Sequence, residues 1–393
     1  MKKVLIFSTA YLPLIGGAEV AVKEITNRLG GDFSAQGGPA PGWEFDFICA
    51  RIKKELSKQE KVGQVTVYRV GWGWGKIDKL LLPWRGAALA TKLHAKQPYT
   101  LVWAVMASFG GFAAMFFKKK NPTAPFLLTL QEGDPLDYIK KRVGIFSGWF
   151  KQIFTRADHI QAISRFLAEW AKDMGAKCPV DVVPNGVDIN KFQPPQINKQ
   201  DLRSRLGIIA QEKVIITVSR LVNKNGIGDL IEAVGRLTVS SKQLTVKLLV
   251  LGTGPLEENL KREVDDLKLK NKVLFLGNIP NEQVPQYLAI ADVFVRPSLS
   301  EGLGNVFLEA MAVGVPIIGT RVGGIPDFLR DGETGLFCET NNPQSIADKI
   351  NILFSNEALR QKLIVNGRKL VEEKYDWDKI AVWMRSIFDS LTI

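Results

Sequence analysis

The stretch Pro297-Ser298-Leu299-Ser300-Glu301-Gly302-Leu303-Gly304-Asn305-Val306-Phe307-Leu308-Glu309-Ala310 follows the apolar run Val293 to Val295 and continues through Pro316, Gly323-Gly324 and Gly332-Glu333-Thr334-Gly335. It reads as strand, glycine loop and helix. Gly302 and Gly304 let a ligand approach the backbone, and a helix opening near Asn305 directs free N–H groups at a phosphate. Glu301 and Glu309 bracket the turn. A carboxylate beside a diphosphate is repelled, so both suit sugar and ribose hydroxyls as hydrogen-bond acceptors. The alternative for Glu309 is first-turn helix decoration, worth about 0.3 to 1 kcal/mol through the dipole.

Outward from this segment, short apolar runs alternate with amphipathic ones. Val4 to Phe7 precedes Glu19 to Leu29, Leu101 to Val105 precedes Phe109 to Phe117, Phe126 to Leu130 follows, and His159 to Ile163 precedes Arg165 to Met174. The rhythm restarts after Pro184 with Val214 to Val218, Gly226 to Leu237, Val246 to Leu251, Pro255 to Leu267 and Val273 to Leu276. Such alternation predicts α/β architecture with two Rossmann-like, doubly wound parallel sheets. Prolines and turn formers at Pro184-Asn185-Gly186 and Phe192-Gln193-Pro194-Pro195 divide the chain into residues 1–183, a linker at 184–198, a second domain at 199–374, and a last helix at 375–393 crossing back to the first domain. Parallel sheets bind ligands beyond their carboxyl ends, so a cleft between facing domains is expected. Gly37 to Gly42 reads as a mobile loop.

The 393 residues are 46% hydrophobic and 23% charged, with mean hydropathy +0.02, which excludes disordered and fibrous classes. Cys49, Cys178 and Cys338 share no short spacing, and His94 and His159 are too few for a Cys/His metal site. A reducing cytosol without structural zinc is expected. The opening apolar run stops at Ser8-Thr9 and Pro13, short of a secretory segment, and Leu101 to Phe117, broken by Ser108 and Gly110-Gly111, reads as strand plus packed helix rather than a membrane span. Net charge is +12. Residues 1–183 hold 26 Lys/Arg against 15 Asp/Glu and the remainder 26 against 25, so +11 of the excess lies in the first half. An anionic partner for that half, or simple solvation, explains the bias.

Gly16-Gly17-Ala18-Glu19 opens a helix directly after the first strand, which suits an anion or a plain turn; the full GxGxxG fingerprint of dinucleotide sites is absent. With Glu301 and Glu309 separated by seven residues, the chain resembles the retaining glycosyltransferases of family 4, which have the two-domain GT-B fold. Similar landmarks follow one another along the chain: Gly16-Gly17, Pro184-Asn185-Gly186-Val187-Asp188, Ser219-Arg220-Leu221 with Lys224, Gly252-Thr253-Gly254-Pro255, and Gly277-Asn278-Ile279-Pro280. The resemblance implies that Glu309 holds the nucleotide ribose, Glu301 the transferred sugar, and backbone at Asn305 and Val306 the diphosphate. Arg220 and Lys224 would neutralise it in place of a metal, so no cofactor is expected. Gly16, Gly17, Asn185, Gly254, Asn278, Ile279, Gly302, Leu303 and Gly304 would complete the donor site. A cation 4 Å from the leaving diphosphate contributes about 4 kcal/mol at an effective dielectric of 20.

Two positions depart from the family's pattern. Asn225 stands where a lysine usually precedes the glycine, with the lysine one place earlier at Lys224. The strand that in many relatives ends in histidine here reads Thr129-Leu130-Gln131-Glu132-Gly133-Asp134-Pro135, where Gln131 can donate to a sugar hydroxyl. Whether Glu132 or Asp134 acts as general base is left open by the sequence, Asp134 also suiting a turn or helix cap. These departures keep a catalytically silent nucleotide-sugar-binding subunit as the alternative to an active transferase. The resemblance favours front-face attack over a covalent intermediate. Asp376-Trp377-Asp378 spells a metal-binding Asp-x-Asp, but at a helix start, where capping is the better reading.

Lys140 to Phe154 mixes cations with large aromatics, and Gly71-Trp72-Gly73-Trp74 and Leu80 to Arg85 add more. Either a membrane interface, suited to a glycan or lipid-linked acceptor and a peripheral place on the inner face of the plasma membrane, or one face of Phe146, Phe150 and Phe154 packed into the core, explains them. No nucleic-acid-binding module is recognised, so nucleic acid is not expected as a partner.

Overall fold

The computed structural model describes residues 2–14, 16–30, 42–194, 197–240 and 245–392; the expected loop at Gly37 to Gly42 lies outside them except for Gly42. The chain folds as two compact units, Met1–Asn185 with Trp377–Ile393, and Gly186–Asp376. Of the stretch expected as a linker, 184 and 185 belong to the first unit and the remainder to the second.

The first unit runs β1 (Lys3–Phe7), α1 (Gly17–Leu29), β2 (Glu44–Ala50), β3 (Gln59–Val62), β4 (Val65–Val70), α2 (Lys76–Lys96), β5 (Leu101–Val105), α3 (Phe109–Lys120), β6 (Phe126–Leu130), α4 (Leu136–Val143), α5 (Ser147–Thr155), β7 (His159–Ala162), α6 (Arg165–Asp173) and β8 (Val180–Val182). Its sheet has the order β3-β4-β2-β1-β5-β6-β7-β8, parallel except for β3 against β4. Every residue of β5 and β6 is buried, as helices covering both faces of a parallel sheet require. Ile6 of β1 stands opposite Phe47 of β2 on one side and Trp103 of β5 on the other.

The second unit contains α7 (Lys199–Arg205), β9 (Lys213–Val218), α8 (Ile227–Ser240), β10 (Val246–Leu251), α9 (Glu257–Asp266), β11 (Val273–Gly277), α10 (Val284–Ala289), β12 (Val293–Arg296), α11 (Asn305–Val313), β13 (Ile317–Thr320), β14 (Leu336–Cys338), α12 (Pro343–Ser355) and α13 (Glu357–Lys374). Its six strands are all parallel, in the order β11-β10-β9-β12-β13-β14. In both sheets the strand order reverses beside the first strand, between β1 and β5 and between β9 and β12. Loops leaving the carboxyl ends of those strand pairs diverge to opposite faces, which opens a crevice there.

The last helix, α14 (Trp377–Leu391), belongs to the first unit. Its Trp377, Ile380, Ala381, Met384, Ile387 and Phe388 recur at helical spacing, and all are buried in the core with Val22, Ile25 and Leu29 of α1. Phe388 meets Trp43 and Trp103 edge to face, with ring centroids 5.4 and 5.3 Å away. Among the described residues, no helix is long and apolar enough to cross a membrane. Leu101 to Phe117 is β5 followed by α3.

Replacing Phe388 by Ala leaves a cavity between these rings and is expected to cost about 3–5 kcal/mol. Chemical denaturation of the full chain, followed by tryptophan emission, should show the loss; a change under about 1 kcal/mol would contradict the packing of α14 as a core element.

Candidate active site

In the second unit, the loops at the strand reversal are locked together by close backbone approach. Gly226, at φ +65°, lies so near the Pro297 carbonyl that a Cβ would come within 2.1 Å of its oxygen, and Leu299 N–H donates to the Lys224 carbonyl at 2.6 Å. Gly254 follows β10 and meets Leu221 with equal closeness, its missing Cβ falling 2.3 Å from the Leu221 oxygen. Leu221 N–H donates in turn to the Thr253 carbonyl at 3.0 Å. The three loops at 219–226, 252–256 and 297–304 therefore form one backbone-built rim at the carboxyl edge of the sheet. Asn278, exposed, and Ile279, half-buried, extend it from the end of β11.

The α11 helix begins behind Gly304, a left-handed residue at φ +95°. Leu303 is buried, Val306 nearly so and Asn305 half-buried. At the head of this turn Arg296, buried at the end of β12, forms an ion pair with Glu301 and donates through Nε to Ser298 Oγ at 3.0 Å. Glu301 also accepts the Gly302 N–H at 3.2 Å. Burial pulls the Arg296 guanidinium down to about 10, while Glu309 opposes the fall. Burial likewise pushes the Glu309 carboxyl up to about 7, against the pull of Lys191 and then Arg296. Glu301, Arg296 and Glu309 thus form one electrostatic cluster around the first turn of α11.

The cations differ from one another. Arg220 is exposed and makes no ion pair among the described residues; Lys224 is half-buried. Asn225 is buried, its Nδ2 donating to the Arg220 carbonyl at 2.6 Å, which closes the loop in front of Gly226. Its Oδ1 is buried and has no hydrogen-bond partner among the described residues. Sequence reasoning did not single out Lys191, whose Nζ donates to Asn281 Oδ1, lies 3.8 Å from Glu282 and acts on Glu309. Nor did it single out Arg296, although a cation ending the apolar run Val293 to Val295 was the signal available.

In the first unit, Thr9 and Ser108 hydroxyls meet at 3.0 Å across the strand reversal. Gln131 and Asn185 exchange side-chain amide hydrogen bonds at 3.1 and 3.0 Å. These two expected site residues are therefore partners. Glu132 is buried; its oxygens accept the N–H groups of Ala107 at 2.6 Å and Gln131 at 2.9 Å, clamping the loop after β5 to that after β6. Burial pushes its carboxyl up to about 7 despite those bonds. Asp134 is exposed. At Gly16-Gly17 the start of α1 has a carboxylate of its own: Glu19 lies against Gly16, where a Cβ would come within 2.6 Å of its oxygen, and burial raises this carboxyl while the N–H groups of Glu19 and Gly16 oppose the rise.

Asp378 sits on the first turn of α14 and pairs with Arg28 at 2.6 Å, while the Asp376 backbone bridges to Val187. Cys49, Cys178 and Cys338 are free thiols. The aromatic triplet splits: Phe150 and Phe154 are buried, and Phe146 is 58% exposed.

Comparisons with known proteins fit this geometry. Residues 198–370 match the family model described as glycosyl transferases group 1, and residues 15–191 match that of glycosyltransferase family 4. A GDP-mannose-dependent monoacylated alpha-(1-6)-phosphatidylinositol monomannoside mannosyltransferase from Corynebacterium glutamicum is 30% identical over 99% of this chain and 98% of its own. The match covers less of three other curated relatives, 48% to 61% of their length. Among solved structures, sucrose-phosphate synthase from Thermosynechococcus elongatus superposes with TM-score 0.82 at 21% identity, covering 100% of this chain and 99% of that one. HepE from Anabaena, in complex with UDP and glucose, gives 0.79 at 19%, covering 99% and 100%. The fold is GT-B.

A carboxyl raised from 4.5 to about 7, as at Glu309, stays protonated in the folded chain where the unfolded chain has lost its proton. Its contribution to stability is therefore present below pH 4.5 and is lost as pH rises to about 7. Glu132 contributes with the same sign. Glu309→Gln should flatten the fall in unfolding midpoint measured across this window while leaving the Glu132 part. An unchanged pH profile would contradict the assignment.

Proposed function

Since the chain belongs to the group 1 glycosyl transferases, we propose that it moves a hexosyl group from a UDP- or GDP-sugar to a hydroxyl of a glycan or lipid-linked acceptor, with retention of configuration and without a metal. One observation carries this reading: the glycine-shaped rim at the strand reversal of the second unit ends on the first turn of α11, where Glu301 and Glu309 supply hydroxyl acceptors and Arg220 and Lys224 supply charge. Helix N–H groups at Asn305 and Val306 bind the diphosphate. Arg220 and Lys224 neutralise the charge that grows on it as the glycosidic bond breaks. Glu309 accepts from the ribose.

Glu301 is held by buried Arg296 and by the Gly302 N–H, which fixes its carboxylate as an orienting acceptor for the sugar and makes it a poor nucleophile. That favours front-face attack, in which a leaving phosphate oxygen takes the acceptor proton. Gln131, oriented by Asn185, donates to a sugar hydroxyl. The +11 charge of residues 1–183 supports peripheral attachment to the anionic inner face of the plasma membrane.

The test is release of nucleoside diphosphate from UDP-, GDP- and ADP-sugars by the full chain, with and without EDTA and a lipid extract. One donor should respond, and the response should survive EDTA. Glu301→Gln keeps a partner for Arg296 and should lower kcat about 100-fold; Arg220→Ala should cost at least about tenfold in kcat/KM. Full activity in Glu301→Gln would overturn the assignment, and donor binding without turnover would favour the silent-subunit reading.

A further inference from the structure

The first unit displays large apolar side chains to solvent in two segments. Trp72, Trp74, Leu80 and Trp84 are 45% to 58% exposed, as are Tyr138, Phe146 and Trp149 at 48% to 58%. Ring contacts join the segments. Trp72 and Trp74 lie 4.9 Å apart, Arg85 stacks 3.4 Å over Trp72, Trp84 meets Phe116 at 5.9 Å, and Phe116 meets Trp149 at 5.9 Å. Lys119 sits 6.0 Å from the Trp149 ring. Exposed aromatic surface of this extent, edged by cations, marks an interaction site rather than scattered exposure.

The display is built into the backbone. Asp78, buried on the first turn of α2, accepts the N–H groups of Trp72, Gly73 and Trp74 at 2.9, 2.8 and 2.5 Å. Gly71, at φ +121°, lies against that carboxylate, where a Cβ would approach within 2.1 Å, and Gly73, at φ +91°, lies against the Lys54 backbone. Two tryptophans are thus held outward by a carboxylate turned inward. Along the second segment, α4 buries none of its eight residues and carries Lys140 and Lys141, both exposed. The 71–75 loop follows β4, and the segment leading to α4 follows β6, so both start at the carboxyl edge of the sheet, where Thr9, Ser108 and Gln131 lie.

We propose that this ridge, comprising the 71–75 loop, the outer face of α2, Phe116 and the α4–α5 segment, inserts its tryptophans into the interface of an anionic phospholipid bilayer. Aromatic rings with a polar edge favour the headgroup boundary, and the flanking Arg85, Lys119, Lys140 and Lys141 meet anionic headgroups. The attachment therefore has two parts: a charge part that salt screens and an aromatic part that it does not. The ridge places the bilayer next to the edge that bears the polar groups of the first unit. This deepens the membrane element of the proposed function and does not depend on its transfer chemistry.

Flotation of the full chain with phosphatidylcholine vesicles, with and without phosphatidylglycerol, at low and high salt, tests the proposal. Binding should be strongest with phosphatidylglycerol at low salt and persist in part at high salt, with a blue shift of tryptophan emission. Trp72→Ser with Trp74→Ser, and Trp84→Ser alone, should each lower the salt-resistant binding about tenfold. Lys140→Glu with Lys141→Glu should remove only the preference for phosphatidylglycerol, and Ile209→Ser in the second unit should change nothing. Flotation that high salt abolishes, or that the serine variants leave intact, overturns the insertion. So does a wild-type chain that ignores vesicles but sediments as a dimer that Trp84→Ser splits, which would make the ridge an interface between copies. Nucleotide release assayed on the same variants separates failure of the surface from failure of the transferase reading.

Discussion

A guanidinium buried at the end of a central strand needs a carboxylate within reach, because an unpaired charge there costs several kcal/mol. Arg296 closes β12, and Glu301, five residues on, is its ion-pair partner. Beyond that carboxylate the chain turns through Gly302 and the left-handed Gly304 before α11 begins. The pair thereby fixes where the helix N–H groups point and how far Glu301 can turn. Glu309, one turn along the same helix, lies in the field of the same guanidinium and of Lys191, which links its proton affinity to the cluster.

The rim around this turn depends on backbone meeting backbone. At Gly226 and Gly254 a methyl group would overlap a carbonyl oxygen of the neighbouring loop. With side chains removed from the contact, peptide groups line the edge of the sheet at the strand reversal, where parallel topology leaves a crevice. Across the other unit's reversal the same position is held by side chains: the Glu132 clamp, the Gln131–Asn185 amide pair and the Thr9–Ser108 contact. One unit offers helix N–H groups and cations, the other offers amides and hydroxyls.

Much of this was legible in the sequence, because the signals are local. Buried strands of parallel sheets appear as short apolar runs, and Val4 to Phe7, Leu101 to Val105 and Val246 to Leu251 fall within strands. Glycines after a strand mark close approach whatever their partner. Features set by partners distant in sequence were not legible. The link between Lys191 and Glu309 spans more than a hundred positions. Phe146, Phe150 and Phe154 share one helical spacing, yet a 3-10 turn at Gly144–Phe146 takes Phe146 off the face that buries the other two. The antiparallel β3 is a polar edge strand, Gln-Glu-Lys-Val, without the apolar run that announces a strand.

The central claim is that the turn from Arg296 to Val306 is where the nucleotide sugar binds. Amide hydrogen exchange of the full chain, with and without saturating UDP or GDP, tests it most directly, since bound phosphate would engage the N–H groups at the start of α11. The account predicts slowed exchange at 301–306, at 220–226 and at 252–256, with little change in α12 and α13 of the same unit. Nucleotide binding that leaves 301–306 unprotected, or that protects a different edge of the sheet, would contradict it.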